Sequence, residues 1–165
     1  MKSGLLKFYI FISFILTMIL GLLPLPEWAI WWRPAWEVLV LIFWTVYFPE
    51  NISMVFVWLV GLLEDVLHFN PLGEHAMSLV IIYYLVRKMN YQLRTSPLWL
   101  QTFKVAILLL IYQLIIVSIQ GVMGDLKYAK WFWVPIVSSV IVWPWLLLLM
   151  RDLSYAFSAR GAKYN

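Results

Sequence analysis

Hydrocarbon sets the first constraint on this chain. Six apolar stretches follow one another, at about 5–23, 34–49, 52–69, 74–90, 98–120 and 131–150. A helix rises about 1.5 Å per residue, so about 20 apolar residues cross a bilayer core of about 30 Å. The first stretch, LLKFYIFISFILTMILGLL, reaches that length. The second, PAWEVLVLIFWTVYFP, is short for a vertical crossing and calls for a tilted neighbour or a thinned bilayer. Of the 165 residues, 64% are hydrophobic and only 12% charged. A soluble domain of this size has too little interior to hide so much apolar surface. The expected fold is therefore all-α: a polytopic membrane protein with six transmembrane helices, forming one integral membrane domain over residues 1–165.

The breaks between stretches have turn chemistry. Pro24 and Pro26 in LPLPEW force an extended or turning segment. AIWWRPAWE reads as interfacial, with Pro34 suited to a helical first turn. PEN at 49–51 and NPLG at 70–73 are turns, and GVMGDLKYAK is a polar connection. The run after Met1 and Lys2 has no small-x-small cleavage site ahead of Pro24, which predicts a retained helix. With six crossings, one side of the membrane holds all 12 Lys and Arg residues except Arg33, Lys127 and Lys130. That bias predicts a multi-pass protein with both termini cytoplasmic. The net charge of +4 is thus a matter of orientation, and nucleic acid is not an expected partner. The 11 Trp and 9 Tyr suit headgroup depth, making membrane lipids the expected surroundings. The absence of Cys excludes disulfides, thiolate catalysis and Cys metal sites.

GLLEDVLHF, at 61–69, is the main polar interruption of an apolar run. On a helix Gly61, Asp65 and His68 share a face, and Glu64 and His68 are i,i+4 neighbours. A carboxylate in hydrocarbon costs several kcal/mol unless paired or hydrated, so Asp65 should not face lipid. It either accepts hydrogen bonds that fix the third helix, with Gly61 allowing close approach, or contributes to a partner site or cavity, or serves conduction. Glu64 is expected at a rim or watery groove, beside His68. Glu64, His68, Glu74 and His75 lack zinc-protease spacing, and no metal, cofactor or catalytic residue is assigned. Ser138 and Ser139 read as helix-packing hydroxyls. Arg33 either snorkels to headgroups or pairs with Asp65, Glu74 or Asp125. In WPW at 143–145, Pro144 removes a helical hydrogen bond and should kink the last helix.

Taken in order, these strings resemble the MreD family of bacterial rod-shape-determining membrane proteins. The resemblance rests on RPAW, with Arg33, Pro34 and Trp36; on GLLEDVLHFNPLG, with Gly61, Asp65 and Gly73; and on VWPWLLLLMR, with Trp143, Pro144 and Trp145. Those nine residues are the structural or partner-binding candidates. The resemblance implies a non-enzymatic inner-membrane component of the elongasome, needing no cofactor and helping to maintain rod cell shape. It implies direct binding to an MreC-like periplasmic scaffold. MreB filaments, RodA and a penicillin-binding transpeptidase are implied as members of the same peptidoglycan-synthesis machinery. It also implies a fold similar to the six-helix substrate-binding subunits of vitamin transporters, a likeness that carries no function. Glu64, Glu74 and His75 depart from the family pattern and receive no role from it. The alternative expectation is a small-solute or lipid-binding transporter subunit, with a cavity lined by Asp65 and Glu64. An intramembrane enzyme using the same carboxylates is a third.

Overall fold

The computed structural model describes residues 3–26, 29, 31–123 and 133–162. Its helices are α1 (Ser3–Leu22), α2 (Trp36–Tyr47), α3 (Met54–Leu67), α4 (Glu74–Lys88), α5 (Asn90–Thr95), α6 (Leu98–Met123) and α7 (Val134–Ala162), with a single 3-10 turn at Pro49–Asn51. Three of these helices are long and apolar enough to cross a membrane: Gly4–Leu22, Leu98–Met123 and Val134–Asp152.

The expectation of six transmembrane helices is therefore corrected to three candidates among the described residues. The other predicted crossings form α2, α3 and α4, of 12, 14 and 15 residues. They rise only about 18–22 Å, against about 30 Å of hydrocarbon. The apolar stretches overstated helix length because their ends are turns. Pro34 and Ala35 precede α2, Pro49 opens the 3-10 turn, and residues 68–73 connect α3 to α4. The last helix begins at Val134 and continues unbroken through Pro144.

Side-chain periodicity explains how the helices pack. In α1, Leu6, Ile10, Phe14 and Met18 are buried, while Phe8, Phe11, Ile15 and Ile19 face outward. That pattern suits one face on the bundle and one on lipid. The short helix α2 is different, being buried from Glu37 to Val46 without interruption. It is the centre of the bundle. Trp44 donates its indole N–H to Ser13 Oγ of α1 at 2.8 Å, and Ser139 Oγ of α7 accepts the Ala35 N–H at 2.9 Å.

The bundle has two chemically distinct ends. At one, Lys7 and the Pro49–Asn51 turn share a cavity, and Arg87 and Lys88 lie on the other side of the same turn. Lys104 Nζ joins them from α6, donating to the Gln92 carbonyl and to Ser96 Oγ. This is the basic end. At the other, Gly21, Glu37, Glu64, Asp65 and Glu74 converge, and this is the acidic end. Since α7 starts beside Ala35 at the acidic end, it runs towards the basic end, where α1 begins.

The tightest crossing lies between α3 and α4. A Cβ at Gly61 would sit 2.4 Å from Ala76 Cα and 2.7 Å from its backbone nitrogen. No side-chain motion relieves a clash with backbone. Gly61→Ala should force the two helices apart and lower stability by about 1–3 kcal/mol, the usual cost of overpacking. Thermal unfolding of the detergent-solubilised protein measures it. An unchanged Tm would mean the helices can separate freely.

Candidate functional site

The acidic end is organised by the fully buried carboxylate of Asp65. Its Oδ2 accepts the Gly73 N–H at 2.8 Å, and its Oδ1 accepts the His75 N–H at 2.9 Å. His75 Nδ1 lies 2.9 Å from the same Oδ1 and donates to it in the tautomer carrying hydrogen there. One side chain thus bridges the end of α3 to the start of α4. Local sequence makes this possible. The α3 helix closes through the Asn70 N–H on the Asp65 carbonyl at 3.0 Å, with Phe69 in the left-handed region at φ 53°. Gly73, at φ +100°, takes the conformation that glycine alone adopts without strain and turns its N–H to the carboxylate.

Beside this lock lies a second group of carboxyls. Glu37 of α2 and Glu64 of α3 are buried within hydrogen-bond reach of one another. Two ionised carboxylates only accept, so the contact requires a proton on one of them. Glu64 Oε2 has no N–H or hydroxyl donor among the described residues, which leaves that proton as its partner. Gly21 of α1 makes room for the pair, since a Cβ there would lie 3.2 Å from Glu37 Oε1 and 3.6 Å from the His68 ring. Glu74 accepts from the Gln120 amide of α6 at 2.7 Å, and Tyr112 of α6 stands edge-on to His75 with centroids 6.3 Å apart.

The predicted residues are distributed unevenly. Gly61, Asp65 and Gly73 act together in the α3–α4 hairpin. Arg33 donates to the carbonyls of Gly21 and Leu23, capping the C-terminus of α1 within electrostatic reach of Glu37. It does not hydrogen-bond Asp65 or Glu74, and Asp125 lies outside the described residues. Pro34 and Trp36 flank Ala35, the residue tied to Ser139. Trp143 is fully buried, whereas Trp145 is 76% exposed, so the WPW residues divide between core and lipid. Glu64 is corrected from a rim position to a buried one, because Glu37 supplies a polar neighbour that hydropathy did not anticipate. His68 turns its Nδ1 to the Glu64 carbonyl, not to the carboxyl.

Sequence reasoning missed Glu37 and Gly21. Glu37 is the lone acid of PAWEVLV, and its place in an otherwise apolar helix was the available signal. Gly21 had no signal beyond being a glycine near a helix end. Among the described residues no three His, Cys, Asp or Glu converge in a metal-holding geometry.

What these helices define is an all-α membrane protein whose buried polar side chains join its own elements at one end of the bundle. The chain belongs to the MreD family: the family model described as rod shape-determining protein MreD matches residues 2–153. Rod shape-determining protein MreD of Haemophilus influenzae is 33% identical over 149 residues, covering 88% of this chain and 90% of that protein. The chain is a membrane protein of the rod-shape and elongasome system, and not an enzyme. No solved structure matches it, and with three candidate crossings the expected likeness to vitamin-transporter subunits is withdrawn.

Two substitutions test the acidic end. Asp65→Asn keeps the shape but removes charge and one acceptor, costing about 1–3 kcal/mol. Hydrogen exchange at the Gly73 and His75 amides should accelerate with it, and unchanged exchange would mean those bonds do not form. At the second group, Glu37→Gln supplies an amide donor to Glu64 and should melt close to wild type. Glu37→Ala leaves Glu64 buried alone and should lower Tm clearly; equal Tm values for the two variants would dissolve the proposed contact.

Proposed function

We propose that this protein is a non-catalytic scaffold of the elongasome that binds an MreC-like partner. Through it, MreB filaments would be coupled to RodA and the penicillin-binding transpeptidase during peptidoglycan synthesis. Family membership supports the setting. The observation that carries the binding surface is the connection held by Asp65. It displays Phe69, 96% exposed, and Leu72, 70% exposed, beyond the ends of α3 and α4. A non-glycine residue at positive φ persists only where its surroundings hold it. The Asp65 bonds supply that hold, so the two apolar side chains are presented from a rigid turn. A rigid apolar presentation suits a protein partner because little ordering entropy is lost on docking.

Charge supports the orientation. In the bacterial cytoplasmic membrane, Lys7, Arg87, Lys88 and Lys104 would place the basic end in the cytoplasm. Both termini then lie on that side, and Phe69 and Leu72 face the periplasm, where the outer region of an MreC-like scaffold is reached. Arg33, Pro34 and Trp36 would hold the neighbouring segment in register with this surface.

Co-purification with an affinity-tagged MreC-like protein tests the proposal. Phe69→Ser combined with Leu72→Ser should leave folding intact and reduce the captured partner at least about tenfold, as removal of interface anchors does. Asp65→Asn should reduce it through loss of the rigid turn. Undiminished capture by the double variant would overturn this surface.

A further inference from the structure

The other end of the bundle carries a site of different chemistry. A cavity of about 740 Å³ opens between the start of α3 and the end of α4, bounded by the Pro49–Asn51 turn. It is lined by Ser53, Met54, Tyr83, Tyr84, Arg87 and Lys88, with Glu50 and Ile52 on the turn side. We propose that it holds the phosphate of an anionic phospholipid, gripped by Arg87 and Lys88, with the acyl chains lying along the outer faces of α3 and α4.

Three observations converge on a lipid phosphate. The first is that Arg87 is positioned. Its Nη1 donates to Tyr83 Oη at 3.0 Å and its Cζ stands 5.8 Å above the Tyr83 ring, while the buried Tyr83 hydroxyl donates to the Ile52 carbonyl at 2.8 Å. The guanidinium is held on one side, and its remaining N–H groups are available in the planar fork that matches phosphate oxygens. The second is charge. Arg87 and Lys88 oppose a single carboxylate, Glu50, leaving a net positive cavity that one phosphodiester balances. The third is the apolar track beside the charges. Met54 is 58% exposed and Tyr84 63%, and one turn further along their helices Trp58 and Ile81 are exposed too. Basic pockets between helices at headgroup depth are where anionic lipids bind. A free anion would gain the charges and leave that apolar track uncovered.

Native mass spectrometry of the full chain, released from micelles containing phosphatidylglycerol or phosphatidylcholine, tests this site. The wild type should retain phosphatidylglycerol over phosphatidylcholine. Lys88→Gln should lower that retention about fivefold, the usual weight of one cation near a lipid surface. Arg87→Gln should do at least as much. Arg94→Gln removes an equal charge from the same end of the bundle and should have a smaller effect; an equal loss would overturn the site in favour of diffuse attraction. Glu50→Gln should raise phosphatidylglycerol retention, and a fall would overturn the anionic class in favour of an ammonium-bearing headgroup. Displacement of the lipid by inorganic phosphate would overturn the role of the acyl chains. Normal co-purification of an MreC-like partner with the Lys88→Gln variant is expected, so this site and the partner surface fail separately.

Discussion

A carboxylate removed from water must find its hydrogen bonds within the protein, and Asp65 finds all of its bonds across one hairpin. Its two oxygens take the Gly73 and His75 amides and the His75 ring, so the register between α3 and α4 is set by a charged group that has nowhere else to go. That register brings Gly61 onto the Ala76 backbone, where any side chain would push the helices apart. It also holds Phe69 and Leu72 outward. Packing, register and surface presentation at this end depend on one side chain.

The centre of the bundle follows a different rule. α2 is buried all round, so its polar atoms must be met by its neighbours. Ser13 and Ser139 meet some of that demand, taking the Trp44 indole N–H and the Ala35 N–H. Glu37 is the exception, placed opposite Glu64 with Gly21 making space for both. Arg33 completes the picture by closing the C-terminus of α1 above Glu37. The acidic end therefore joins α1, α2, α3, α4 and α6 through polar contacts. The basic end leaves cations facing outward at headgroup depth. A molecule with those two ends is built to connect what lies on either side of a membrane.

Much of the architecture was legible in the chain. Every described helix of 12 residues or more grew from an apolar stretch, and NPLG, PEN and the Pro34 region fell between helices as their turn chemistry requires. Helix length was not legible, because apolar residues such as Leu67, Phe69 and Phe48 continue past the hydrogen-bonded ends into turns. Hydropathy counts those residues as helix; backbone geometry does not. At the site, spacing along one helix brought out Gly61 and Asp65. Glu37 and Gly21 escaped because their importance comes from other helices, and i,i+4 arithmetic sees only one.

By itself the sequence determined that this chain is helical, lives in hydrocarbon, carries its cations at one set of segment ends, and must satisfy Asp65 internally. Those conclusions need only composition, periodicity and the cost of desolvating charge. Tertiary structure decided which helices are long enough to cross, which carboxyls face one another, and that Arg33 caps α1 instead of pairing with Asp65. The physical reason is the same in each case. Hydrophobic burial has no direction and can be read along a chain, whereas a hydrogen bond or a 2.4 Å clash depends on where another helix stands.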